Sequence, residues 1–249
     1  MRASGAYAGQ PLVTDDAAVV APQTCQLEAW AHSTSDGHEY WAQPACNFTG
    51  NLELAVGAAR TYPFGDSPSS IIQLQAKTVL FPRADGEWSF GGVASGARDT
   101  GAAHGRTAFQ AFNVTGLASW YPRDELEIDL NLGVSYLYGS GSFAVAGAAV
   151  QYAPIDALQL LGEIFRDEPG RAKFQVGLRG IVVPDRFEVY VSYGNRFDAA
   201  QWFATIGIRL QIAGARALMS MPCACSWHGC CRADRATPID WHPKYVIGF

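Results

Sequence analysis

The 249-residue chain contains no uninterrupted apolar run of the ~18 residues that a membrane-spanning helix needs. Its richest stretch, Phe143 to Phe165, is broken by Gln151, Pro154 and Asp156. It also lacks any run of Lys or Arg, and with a net charge of -5 it offers no concentrated basic surface for nucleic acid. The first residues, Met1 to Gly9, have no apolar export core, although Ala6-Tyr7-Ala8 has the small-x-small form of a cleavage site. Either the chain is cytosolic and that match is chance, or the sequence starts inside a longer precursor whose signal was removed. Only 16% of residues are charged and 49% are hydrophobic, enough for one sizeable all-β domain.

What the chain does have is strict period-two alternation. After the turn Trp120-Tyr121-Pro122-Arg123-Asp124-Glu125 come Leu126, Ile128, Leu130 and Leu132, with Glu127, Asp129 and Asn131 between them. On a helix these would scatter around the cylinder, whereas on a strand they form one apolar and one polar face. Ile72, Leu74 and Ala76 alternate with Gln73, Gln75 and Lys77 in the same way, and Ala204, Ile206, Ile208 and Leu210 with Thr205, Gly207 and Arg209.

Similar turns recur at Asn47 to Asn51, Phe81 to Gly86, Tyr152 to Asp156 and Val183 to Arg186. Proline cannot donate to a ladder, and Asp, Asn and Gly tolerate tight turns, so each cluster joins two strands of about ten residues. Twelve strands are predicted, at 24–32, 38–47, 51–62, 69–81, 87–98, 106–121, 125–138, 142–153, 157–167, 172–183, 186–197 and 201–212. The other ends are joined by more varied polar loops, His32 to His38, Tyr62 to Ser69, Arg98 to Arg106, Tyr138 to Ser142, Asp167 to Arg171 and Phe197 to Gln201. Compact turns on one side and loops on the other are the asymmetry of outer-membrane barrels.

Alternation alone fits a soluble sandwich equally well. The aromatic residues break the tie. Phe48, Phe81, Trp88, Trp120, Tyr121, Tyr152 and Phe187 flank the compact turns, and Tyr62, Tyr136, Tyr138, Phe165, Phe174, Tyr193, Phe197 and Trp202 lie near the opposite strand ends. Two such belts are expected at the two interfaces of a membrane. The prediction is an all-β, closed antiparallel up-and-down transmembrane barrel of about twelve strands in the bacterial outer membrane, in contact with its lipid. A barrel of this kind also implies the barrel-assembly machinery as a folding partner. The polar face carries Glu53, Lys77, Glu127, Asp129, Glu163, Arg179, Glu188 and Arg209 at mid-strand. Facing lipid, each Lys or Arg would cost about 2–4 kcal/mol, so these eight are the lumen-lining candidates. They either border a path for a small solute or pair with one another and fill the interior.

Cys25 and Cys46 flank the first hairpin, and the register that pairs them also sets Trp30 opposite Trp41. That coincidence predicts a cross-strand disulfide, which an oxidising compartment would preserve. Residues 1–23 read as an export remnant and periplasmic leader, 24–212 as the barrel, and 213–249 as an irregular tail. The tail holds Cys223, Cys225, His228, Cys230, Cys231 and His242 without the paired C-x-x-C spacing of a zinc site, so no metal and no cofactor is assigned. Tyr245, Ile247 and Phe249 alternate, but Pro238 and Pro243 argue against a strand there, and the last strand is placed at 201–212.

Pro11-Leu12-Val13-Thr14-Asp15-Asp16-Ala17, followed by Gln26-Leu27-Glu28, resembles the start of mature outer-membrane barrels grouped with the phenol meta-pathway degradation family. That resemblance implies a barrel passing aromatic or other small hydrophobic molecules, and it carries over no site residue. Thr14-Asp15-Asp16 either plugs the barrel or is a solvated leader. Beside a passive or substrate-preferring channel stand two alternatives, a structural or adhesive barrel with a plugged lumen and an outer-membrane lipid-modifying enzyme. The enzyme needs Ser and His within hydrogen-bond reach. Ser95 with His32, His38 and His104 is the only material for it, no motif surrounds them, and no catalytic residue is assigned.

Overall fold

The computed structural model describes residues 11–82, 87–100, 109–169, 171–198 and 200–212. Twelve strands are present: β1 (Thr24–Thr34), β2 (Gly37–Asn47), β3 (Leu52–Pro63), β4 (Ser69–Phe81), β5 (Trp88–Asp99), β6 (Ala111–Arg123), β7 (Leu126–Leu137), β8 (Gly141–Ile155), β9 (Leu158–Glu168), β10 (Arg171–Val183), β11 (Phe187–Arg196) and β12 (Trp202–Ile212). Each pairs antiparallel with its sequence neighbours, and β1 pairs with β12, so the sheet closes into an up-and-down barrel with no free edge. Closure gives every strand a partner on both sides, which is the condition for crossing a bilayer with strands.

The barrel is apolar on the outside. Leu132, Val134, Ile206 and Val114 are more than half exposed, while Glu28, Gln73, Asp129 and Arg179 on the opposite face are buried. A soluble sandwich would bury the first set and expose the second. An apolar exterior this extensive belongs in lipid, and the protein is a transmembrane barrel of the outer membrane.

The strands start and stop close to where the alternation places them, with one displacement. β6 begins at Ala111 rather than at 106. The connection 100–110 is therefore the longest at the loop end, whereas other connections there, 35–36 among them, are as short as any turn. Register shifts occur in β4–β5, β6–β7, β8–β9 and β10–β11 beside the compact turns. Bulges at a barrel rim bend strands into their turns. Asp185, in the 184–186 turn, sits at φ 58, a conformation that Asp tolerates better than most residues.

The aromatic belts need two corrections. Trp88 and Trp120 stack at 5.6 Å on the outer surface of the turn end, as an interface anchor should. Phe165, however, is buried at the lumen face of β9, and Tyr121 shares the inward side of β6 with Ser119. Each shares strand parity with a buried inward residue, Glu163 for Phe165 and Ser119 for Tyr121. Parity sets the face; distance from the rim does not.

Cys25 and Cys46 form a disulfide, and in the same register Trp30 stacks on Trp41 with centroids 5.5 Å apart. Trp30 follows Cys25 by five positions, an odd offset, so the disulfide is on the outer surface and the tryptophans are in the lumen. Replacing both cysteines by Ala should lower stability to urea unfolding in lipid vesicles by about 3 kcal/mol, the chain-entropy value for a loop of this length. An unchanged midpoint would show that the sheet alone holds this corner.

Candidate functional site

The lumen is occupied by the chain itself. Residues 11–20 run inside the barrel from Pro11, deep in the lumen, to the turn end, where the exposed Gln23 at φ 60 bends the chain into β1. The segment first read as a periplasmic leader is thus an internal strap over its described part. It makes no strand ladder, so its backbone groups depend on side chains from the wall. Buried backbone groups must find such partners.

Side chains from seven strands supply them, and an eighth, β4, holds two of the strap's side chains. The Glu163 carboxylate on β9 accepts from the amides of Val13 and Thr14 at 2.8 and 2.7 Å. Gln175 on β10 donates to the Pro11 carbonyl at 2.7 Å, and to Glu163. The Asn131 amide on β7, in the orientation that satisfies it, donates to the Asp15 carbonyl at 2.9 Å and accepts from the Asp15 amide at 2.6 Å. Ser119 on β6 accepts from the Ala17 amide at 2.8 Å, and Ser89 on β5 donates to the Ala17 carbonyl at 2.5 Å. Glu53 on β3 accepts from the Val20 amide at 2.9 Å, and Asn47 on β2 donates to the Val20 carbonyl at 2.7 Å. Lys77 on β4 reaches Asp15 at 2.7 Å and Asp16 at 2.6 Å.

Two apolar sockets complete the seat. Leu12 packs with Ala149 and Leu161, and Ala17 with Val93 and Leu117. Thr14 lies against Gly147 on β8, where an added Cβ would come within 3.2 Å of the Thr14 Cβ. Any larger residue at 147 would push the strap away.

All eight predicted lumen residues face inward and are buried. They divide into two sets. Glu53, Lys77 and Glu163 hold the strap directly, and Asp129 holds it through Ser119, which donates to its Oδ1 at 2.5 Å. Glu127 is buried on the same face of β7, two residues before Asp129. Arg179, Glu188 and Arg209 form the second set with Glu28, which the sequence reading missed. Glu28, Arg209 and Glu188 are directly opposite one another on β1, β12 and β11. Arg209 bonds Glu28 at 2.8 Å and Glu188 at 3.4 Å, and Arg179 lies 3.7 Å from Glu188. Strand parity with Trp30 was the signal that marked Glu28. The buried Gln43, Gln73, Gln75, Gln151, Gln159 and Gln175 were not among the lumen candidates, although Gln73 and Gln75 stand on the polar face of the alternation, because uncharged polar residues stand out less than charges do.

At this level the lumen is filled, since Ser119 and Asp129 are 0% exposed and Gln73 is 1% exposed. Cavities beside the strap hold only about 50 and 30 Å³. Above it, at the loop end, a vestibule of about 310 Å³ opens, with Pro11 and Val13 among its lining residues. Its walls include His32, Phe165 and Phe203 on one side and Thr61, Ser69 and Asp99 on another. Phe203 contacts both His32 and Phe165, with centroids 5.8 and 6.1 Å away. Its ring lies over Gly194, its cross-strand partner, where a side chain would collide with it. Ser69 bridges Thr61 at 2.8 Å and Asp99 at 3.2 Å. At the rim, Arg196 donates two hydrogen bonds to Asp198, which holds that carboxyl below its usual range.

Among the described residues, Ser95 is not brought together with His32 or His38. His32 Nδ1 is 2.9 Å from Thr205 Oγ1, His38 Nδ1 is 3.1 Å from Ser33 Oγ, and Ser95 lines the separate 50 Å³ cavity. His104 and the cysteine-rich tail are outside the described residues, as are the Ala6-Tyr7-Ala8 match and residues 83–86 of the second compact turn. No cluster of metal-ligating side chains occurs among the described residues.

The chain belongs to the family named Uncharacterised conserved protein UCP029691, which matches residues 1–212. No curated protein matches the sequence. Among solved structures the chain is similar to the KdgM porin, with a TM-score of 0.59 at 12% identity, covering 74% of this chain and 98% of that one. KdgM has also been solved in complex with disordered oligogalacturonate, and that structure matches with a TM-score of 0.56 at 13% identity. The NanC porin matches with a TM-score of 0.58 at 10% identity, over 76% of this chain and 100% of that one. At such identities the likeness is one of fold, a twelve-stranded outer-membrane barrel.

Lys77 is the only cation among the described residues bonded to the strap's two aspartates. Breaking a buried pair by removing one partner costs about 3–5 kcal/mol, because the other charge is left buried. Lys77→Met should therefore release the strap while the barrel stays folded. Hydrogen exchange at residues 13, 14, 17 and 20 should accelerate at least tenfold, an increase that strand amides should not share. Unchanged protection would mean that the strap does not depend on this ion pair.

Proposed function

We propose that this protein is an outer-membrane channel for small solutes, entered from the loop end and held closed by its own N-terminal strap. The observation that carries this reading is the vestibule of about 310 Å³ that ends on Pro11 and Val13, on a strap held by side chains and not by a ladder. Short turns lie on the periplasmic side of such barrels, so the vestibule faces outward and the strap enters from the periplasmic side. The volume is within the range of small-molecule sites. Likeness in fold to the KdgM and NanC porins supports the channel class. The aromatic solute implied by the meta-pathway resemblance finds support in the face formed by His32, Phe165 and Phe203.

A second reading, a scaffold whose lumen is permanently filled, draws on the Glu28–Arg209–Glu188–Arg179 row. Bilayer recording separates the two. Thr14→Cys with Gly147→Cys brings two Cβ atoms to about 3.2 Å, near disulfide range, and would tether the strap to β8. With Cys223, Cys225, Cys230 and Cys231 replaced by Ser, the oxidised variant should be silent and the reduced one should conduct. Lys77→Met should raise the open fraction roughly tenfold if it removes 1.4 kcal/mol or more from the closed state. Silence in the reduced tether, in Lys77→Met and in the unmodified protein alike would overturn the channel and leave the scaffold.

A further inference from the structure

The outer surface of the wall is apolar along most of its height, but near the loop end it carries arginine. Arg60 stands three residues before the end of β3, and Arg98 one residue before the end of β5. Strand parity places both on the lipid side, Arg60 with Leu54 and Val56, and Arg98 with Phe90 and Ala94. An outward cation is costly at the bilayer midplane and cheap near an interface, where it meets headgroups. These two stand at that level.

Arg60 is held in place by neutral groups. Its Nη1 donates to Ser70 Oγ at 2.9 Å, and its guanidinium lies 5.9 Å from the centre of the Tyr62 ring, which meets Tyr40 edge-on with centroids 6.0 Å apart. A ring face and a hydroxyl orient a guanidinium without cancelling its charge. Arginine has five N–H donors, and Ser70 takes one. The Nε of Arg98 is buried without a hydrogen-bond partner. Arg60 is directly opposite Ser70 and Arg98 directly opposite Ile72, on the two sides of β4. Two strand spacings and two residues of rise put their Cα atoms roughly 12 Å apart. Two long side chains can close that gap around one anionic group.

The acids nearest to them on these strands point the other way. Glu39 and Asp99 have inward parity and line the vestibule. Asp66, in the 64–68 connection, accepts from the Ser67 amide. Residues 101–108, outside the described set, include His104 and Arg106 and neither Asp nor Glu, so their composition adds no negative charge. The turn end differs, since its exposed Arg123 has Glu125 at 4.0 Å.

The geometry points to a binding site for the phosphate of a glycolipid headgroup in the outward-facing leaflet, clasped by Arg60, Arg98 and Ser70. Guanidinium forks match phosphate oxygens in pairs, and basic patches at membrane level recruit anionic headgroups. Tyr40, Tyr62 and Phe112, exposed on the same face, would border the sugar and the first part of the acyl chains. The outward leaflet of an outer membrane is built of phosphorylated glycolipid, which fixes the occupant. This inference rests on the loop end facing outward and not on the channel reading.

The test uses the full-length protein folded in detergent micelles, with binding followed by microscale thermophoresis. The probes are diphosphorylated lipid A, the same glycolipid stripped of its phosphates, and inorganic phosphate. Diphosphorylated lipid A should bind at least tenfold more tightly than the phosphate-free form, a preference that shrinks as salt is raised. Arg60→Gln with Arg98→Gln should weaken it roughly tenfold, and the matching pair of Lys substitutions should recover only part of that loss, because lysine lacks the fork. Arg60→Gln alone should act in the same direction and serves if the double variant misfolds. Arg166→Gln, at an exposed outward position on β9 five strands from β4, should leave binding unchanged. Equal affinity for the two glycolipids, no loss in the glutamine variants, or an equal loss in Arg166→Gln overturns the site. Displacement of the glycolipid by inorganic phosphate at equal concentration overturns the lipid assignment. None of these readouts needs conductance, so a silent protein that binds lipid A loses the channel and keeps the site, and a conducting one without the preference loses the site and keeps the channel.

Discussion

A closed barrel wall that is apolar outside must place all its polar side chains inside, and each of them then needs a partner. In this protein that constraint decides what fills the lumen. An unpartnered buried polar group costs about 1–3 kcal/mol, and more when it is charged. The inner wall carries more acids than bases, so its charges cannot all pair among themselves. On one side Glu28, Arg209, Glu188 and Arg179 form a row of alternating sign. On the other side Glu163, Glu53 and Asp129 outnumber Lys77, and an extended peptide with free amides is the matching complement. The strap donates amides to Glu163 and Glu53, and it brings Asp15 and Asp16 to the one lysine.

The same arithmetic sets how firmly the strap is held. Its bonds compete with water that can enter through the vestibule, so each is worth about 0.5–1.5 kcal/mol net. Ordering the backbone costs about 1–2 kcal/mol per residue. These are of similar size, and the burial of Leu12 and Ala17 shifts the balance toward insertion. A strand added to the sheet would have been held far more firmly. Side-chain tethering keeps the closed state within reach of a modest perturbation.

Legibility from sequence followed periodicity. Strands, their faces and the register of the first hairpin were readable because period two is geometric, and because two residue pairs, Cys25 with Cys46 and Trp30 with Trp41, shared one register. Phe165 was assigned to a belt although Glu163, two positions earlier, had been assigned to the lumen; parity alone would have corrected it. The strap was not readable in the same way. It has no repeat, and its partners lie up to 164 residues away, as with Pro11 and Gln175. Composition offered one hint, a lone inward lysine, Lys77, whose partners are Asp15 and Asp16. The vestibule was less legible still, since Asp99, Phe203 and Lys173 are brought together only by closure of the sheet.

A strap that moved, as the proposed channel requires, would need a fixed point, and the turn end provides one. Gln23 is held in the left-handed region, its amide bonds the Asn47 carbonyl at 2.7 Å, and the Thr24 amide and hydroxyl both reach the Ala21 carbonyl. One residue on, Cys25 is joined covalently to β2 and paired in the sheet with Ile212 of β12. The closing seam of the barrel begins at the residue that the disulfide pins. Withdrawal of residues 11–20 would pull first on this corner, and without the cross-link the load would fall on the last hydrogen bonds of β1 with β12, where strand ends fray most easily. The disulfide thus protects the one place where opening the lumen would otherwise open the wall.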